Sequence, residues 1–200
     1  MRNLIALCAV AALLTTIACR RETPDADMVA ATETTATDTS GTMSTSTVAT
    51  GGTVSTLTPA EKEFIAQAGE RGLAEVRQSE VAQQRAQNAE VKLFAQRMIT
   101  DHGRGNLELQ QLATTKGAAL PTALNDEHQA AVSHLQGLNG AEFDRMYMMH
   151  MADDHQKVVT QFENAERSVQ DPDLKLWISK TLPVLREHLQ HAQQLSAAMQ

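Results

Sequence analysis

Aromatic residues are scarce in this chain of 200, at 3%, with one Trp, one Tyr and four Phe. So few flat side chains leave little surface for stacking on bases or sugars. Basic residues are outnumbered: 17 Lys and Arg against 24 Asp and Glu give a net charge of -7. Phosphate binding needs a basic face, so nucleic acid is excluded as a partner, and a helix lying on anionic lipid is disfavoured too. The chain has two cysteines, Cys8 and Cys19. Neither a disulfide framework nor a zinc ribbon can be built from them. Beyond the first twenty residues no apolar run is long enough to span a bilayer. A nucleophile–base pair, a phosphate loop and a cofactor fingerprint are missing as well, so the sequence gives no support to an enzyme.

What is present begins at the N-terminus. Arg2 supplies a basic start and Leu4 to Ile17 is almost continuously apolar, too short for a membrane span and suited to a secretory signal. The run ends in Thr16-Ile17-Ala18-Cys19. Small residues before a cysteine predict lipoprotein processing, with residues 1–18 removed and Cys19 acylated. Thr16 and Ala18 also satisfy the ordinary small-x-small cleavage rule. Arg20 and Arg21 follow, and the lack of an Asp there leans toward the outer membrane. Residues 19–57 are rich in Thr, Ser and Ala without apolar periodicity, a composition that cannot bury enough surface to offset its ordering entropy. The expectation is a lipid-anchored tether in the periplasm or outer membrane. Its partners are the membrane, through the lipid, and an unidentified envelope protein.

The folded domain is expected over residues 58–200. Thr58, Pro59 and Glu61 form a capping box with proline at the first helical position. The first long helix runs to about Ala86. The second, capped by Asn88, covers Ala89 to about Lys116 and stops at Gly117. A connector carries Pro121 and a short helix near Asp126 to Leu135. Gly140 marks a break, the third long helix covers Ala141 to about Val169, and Asp171-Pro172 opens the fourth. The fold class is all-α, a four-helix bundle with one longer crossover between its second and third long helices. Val91 to Met98 resembles Leu174 to Thr181, as a duplicated helical hairpin would.

Each long helix carries an apolar stripe, and each stripe is interrupted once by a metal-capable side chain: Glu75, His102, His155 and His188. All four fall within about one helical turn of their helix midpoints, at roughly 1.5 Å per residue. Helices packed up and down would bring them to one level. One carboxylate with three imidazoles suits a single first-row ion, zinc, iron, manganese or copper. Asp101, Asp154 and Glu187 each precede one of the histidines and are candidates for fixing a tautomer on an adjacent helix. The same residues also fit a purely structural reading, a buried Asp/Glu–His hydrogen-bond layer that holds register without metal. In Met146-Tyr-Met-Met-His-Met151 thioethers beside imidazole suit Cu(I), although methionine at helical spacing also fills cores. His128, His134 and His191 read as surface residues. Pro183 removes one hydrogen bond inside the fourth long helix and predicts a bend.

Arg97-Met-Ile-Thr-Asp-His102, then Gly140-Ala-Glu-Phe-Asp144, Asp154-His-Gln156, Leu182-Pro183 and Arg186-Glu-His188 together resemble the bacterial family called domain of unknown function 4142, whose members are described as outer membrane or exported proteins. The resemblance covers roughly Pro59 to Ala197. It implies a ferritin-like helical bundle in the periplasm or outer envelope and no established activity. Di-iron members of the ferritin-like group need Glu-x-x-His on two helices. Here Ile99 and Leu185 stand three residues before His102 and His188, so that chemistry is not expected.

Overall fold

The structure, a computed structural model, describes residues 56–200. The expected signal segment, Cys19 and nearly all of the expected tether lie outside the described residues. Among those described there are five helices and no strands: α1 (Pro59–Arg85), α2 (Ala89–Lys116), α3 (Asp126–Gly137), α4 (Gly140–Ser168) and α5 (Pro172–Ala197). The boundaries follow from local chemistry. Thr58 and Glu61 form the reciprocal capping box that opens α1. Asn88 caps α2 through the Glu90 N–H, and Asp171 caps α5 through the N–H groups of Asp173 and Leu174. Gly117 ends α2 in the left-handed region, at φ 64°, and the Ala118 N–H returns to the Ala113 carbonyl at 2.9 Å. The helix α5 passes through Pro183 unbroken.

The helices form a bundle in which α1 packs along α2 and α4 along α5, with α2 against α5 and α1 against α4. Side-chain contacts fix the directions. Lys116 at the end of α2 reaches Asp171 at the start of α5, at 2.7 Å, while Asp101 further back meets His188 further on. These two helices are therefore antiparallel. The same holds for α1 and α4, where Phe64 meets Phe162 and Ser79 meets Tyr147. With α1 and α5 as its neighbours, α2 lies diagonally across from α4 and runs parallel to it. The connector between them must travel back along the bundle, a path of about 40 Å for helices of this length. α3 covers part of it, lying on α1. There the Glu70 carboxylate accepts from the Asn125 backbone N–H at 3.0 Å and meets His128 Nδ1 at 2.6 Å. His128, expected at the surface, is buried by this contact; His134 is exposed and His191 half-buried against Phe94.

The core comes in two apolar blocks. One contains Phe64, Leu109, Phe162, Leu174 and Trp177, the other Val91, Phe94, Met98, Phe143 and Tyr147. Leu57, the last residue of the expected tether, is buried in the first block. Met148 and Met151 fill the second, while Met149 is exposed. On every long helix the four metal-capable residues stand between the positions that feed the two blocks, so a polar layer divides the core at its waist.

The two hairpins α1–α2 and α4–α5 repeat each other at a constant offset of 83 positions. Glu61 accepts from the backbone N–H groups of Gln170 and Asp171, at 2.8 and 3.0 Å, capping the link between α4 and α5. Its counterpart Asp144 accepts from Gln87 and Asn88, at 3.0 and 2.8 Å, capping the link between α1 and α2. Val91 and Leu174 are both fully buried, Phe94 and Trp177 are both core aromatics, and Leu93 and Leu176 are both exposed. The similarity seen over eight residues thus extends through both hairpins, which are related by an approximate twofold.

Candidate metal centre

At the waist, His102 from α2, His155 from α4 and His188 from α5 turn their rings toward one another, with centroids 5.2 to 5.5 Å apart. One ring nitrogen from each lies within 4.8 Å of one from each of the others. His155 and His188 are buried, and the His102 side chain is only 9% exposed.

One nitrogen of each ring is committed to an oxygen. His102 Nδ1 lies 2.9 Å from Glu75 Oε2, His155 Nδ1 2.9 Å from the Met151 carbonyl, and His188 Nε2 3.0 Å from Asp101 Oδ2. Carbonyl and carboxylate oxygens only accept, so each of these nitrogens is the N–H donor. The proton positions follow, and the lone pair of each neutral ring sits on the other nitrogen. Those nitrogens, His102 Nε2, His155 Nε2 and His188 Nδ1, are buried and have no hydrogen-bond partner; nor has Glu75 Oε1. An unpartnered buried polar atom costs about 1–3 kcal/mol. Four such atoms at one level are a standing expense that apolar residues would remove.

Burial and charge set the protonation. Burial pushes all three imidazoles toward the neutral form, and repulsion from His102 takes His188 further, to about 4. His155 is also lowered, with burial outweighing the pull of Glu75. Against its own burial, His102 is raised by the Glu75 carboxylate in hydrogen-bond contact. Burial would raise Glu75, but the surrounding imidazoles win and bring it down to about 2. The layer thus sets an ionised Glu75 carboxylate against the His102 ring, with His155 and His188 held toward the neutral form.

The four residues expected to converge do meet here, but their parts differ. Glu75 faces the Nδ1 side of His102 and, at 3.6 Å, of His155. The trio of nearby ring nitrogens assembles without it. Of the three acids expected to steady a histidine on a neighbouring helix, Asp101 does so for His188. Asp154 instead approaches His150 on its own helix, at 3.7 Å. Glu187 does not serve a histidine: its carboxylate is 63% exposed and pairs with Arg97, because its place on α5 points outward. The Met151 carbonyl had no sequence signal, since any residue one turn before His155 offers the same oxygen.

The chain is thus an all-α bundle with a buried histidine trio at its waist. Residues 46–195 match the family described as domain of unknown function (DUF4142), and the chain belongs to that family. No curated protein matches the chain. Among solved structures, it is similar to the crystal structure of a DUF305 fragment from Deinococcus radiodurans, at 14% identity and a TM-score of 0.65, covering 72% of this chain and 99% of that one. A likeness at that identity speaks for the fold alone.

Proposed function

We propose that this protein is a tethered, ferritin-like bundle that binds one transition-metal ion through His102, His155 and His188. One observation carries the reading: each ring donates one N–H to a fixed oxygen, keeps its other nitrogen buried and unpartnered, and brings a ring nitrogen within 4.8 Å of one from each of the other two. Metal-bound histidines are held this way, the outer hydrogen bond fixing the tautomer and aiming the lone pair. The size also fits. Corners at most 4.8 Å apart lie at most about 2.8 Å from their common centre, against about 2.0–2.1 Å for a zinc–imidazole bond. Each ring closes the gap by less than about 1 Å. Glu75 and Asp101 act as positioning carboxylates, and Glu75 supplies negative charge beside the cation. Three nitrogen donors suit zinc, iron, manganese or copper, with imidazole favouring zinc and copper.

The single long crossover carrying α3 supports the ferritin-like description, since that topology joins two antiparallel hairpins by one long connection. The acidic, non-spanning domain and the apolar leader ending at Cys19 support an envelope location with a lipid anchor. Cys19→Ser is expected to abolish incorporation of labelled palmitate. Labelling of the variant would refute the anchor.

Elemental analysis of the purified protein, prepared without chelator and incubated with each metal in turn, tests the centre. One ion per chain, lost in His102→Ala and His155→Ala, is the expected result. A wild-type protein that takes up no metal, and variants that only lose stability, would instead establish the layer as a structural hydrogen-bond network.

A further inference from the structure

The waist breaks the twofold that the rest of the bundle keeps. Counting 83 positions between the hairpins, His155 corresponds to Gly72 and His188 to Gly105. Glu75 corresponds to Val158, His102 to Leu185 and Asp101 to Val184. The polar cluster thus has an image half-site in which every ligand or positioning side chain has become aliphatic or has been deleted to glycine. All five image residues line one cavity of about 40 Å³, which Glu75, Asp101, His102 and His188 line from the other side. Trp177 lines it too, and its buried indole N–H has no hydrogen-bond partner.

A water molecule needs about 10–15 Å³ of such space, so this chamber admits a ligand of two or three heavy atoms and nothing larger. Between α2 and α5 its lining reaches the surface. Asp101, Gly105, Thr181 and Val184 also line a surface depression rimmed by Arg104, Glu108 and Lys180. A side chain at Gly105 would meet nothing within 4 Å, so that gap is open. A trio of imidazoles leaves a divalent ion short of its usual four ligands, the arrangement found where a metal keeps an exchangeable position.

We infer that the image half-site is a binding chamber for a small exogenous ligand of two or three heavy atoms, anionic or neutral, which takes the open coordination position of the metal held by His102, His155 and His188. This rests on the metal reading above. The small volume excludes larger molecules, the ion supplies the attraction, and the walls add polar groups to the aliphatic ones: the Trp177 N–H, Arg71, and Asn106, whose amide packs against Gly72.

Azide titration of the cobalt(II)-loaded protein, followed in the visible spectrum, tests it. Cobalt bands that shift saturably with one azide per metal are expected. Ala68→Leu, which fills the chamber from its apolar wall, is expected to keep the cobalt bands and weaken azide at least tenfold. Gly105→Leu, on an open helix face, is expected to slow azide association at least tenfold. Cobalt bands that azide leaves unchanged would overturn the chamber while leaving the metal centre standing. So would azide binding and association that neither substitution alters. Absence of cobalt bands in the wild type would remove the metal reading itself, and the chamber with it.

Discussion

At its two ends the bundle repeats itself; at its waist it does not. Glu61 and Asp144 cap opposite inter-helix links in the same way, and Phe94 and Trp177 anchor opposite apolar blocks. Between them, a cluster of titratable groups faces glycines and aliphatic residues in the related positions. The ends show what holding two hairpins together requires, because both copies kept it. The waist holds something that folding alone does not ask for, since polar atoms without partners weaken a core.

Emptying one end of the bundle is expected to have the largest effect. Phe94 is 1% exposed, and Phe94→Ala is expected to cost about 3–5 kcal/mol in chemical denaturation, with or without metal. A smaller and metal-dependent effect belongs to the waist. Zinc at a hundred times its dissociation constant should stabilise the wild type by about 2.7 kcal/mol and leave His155→Leu unchanged. Without metal, His155→Leu should match or exceed the wild type, because an apolar side chain replaces an unpartnered nitrogen. A marked loss in the metal-free variant would make the waist structural.

The capping carboxylates come next. Glu61→Gln and Asp144→Asn should each cost about 1–3 kcal/mol, since an amide nitrogen cannot accept from the backbone N–H groups that one carboxylate oxygen served, and Glu61→Gln, which also disturbs the capping box with Thr58, should cost the more. Burial raises Glu61, but the backbone N–H groups of Asp171, Thr58 and Gln170 outweigh it and hold its carboxyl below the ordinary value. A carboxylate lowered on folding contributes fully above its unfolded value, and the contribution fades as pH falls through the folded one. The gap between wild type and Glu61→Gln should therefore narrow in acid. The smallest effect is expected at the matched exposed leucines: Leu93→Ser and Leu176→Ser should each fall within about 0.5 kcal/mol of the wild type.

The ends were legible because caps and stripes are local. Thr58 with Glu61, Asn88, Gly117 and Asp171 each declare a boundary within four residues, and all four act as read. The waist was legible as a level, since one metal-capable residue interrupts each stripe and all four meet. What stayed hidden depends on which way a side chain leaves its helix. Asp101 and Glu187 both precede a histidine, yet one turns inward to His188 and the other outward to Arg97. His128 looked like a surface residue until α3 folded back and brought it to Glu70. The chamber could not be read, because it depends on what the fold brings opposite two glycines: the Asn106 amide against Gly72 and open space at Gly105.

X-ray absorption by the zinc-loaded protein examines the waist most directly. Three histidine nitrogens at about 2.0–2.1 Å, with imidazole scattering beyond and a light atom completing the set, are expected, and the imidazole signal should drop in His188→Ala. Sulfur at about 2.3 Å, or a shell of oxygens alone, would contradict the assignment of the ion to His102, His155 and His188.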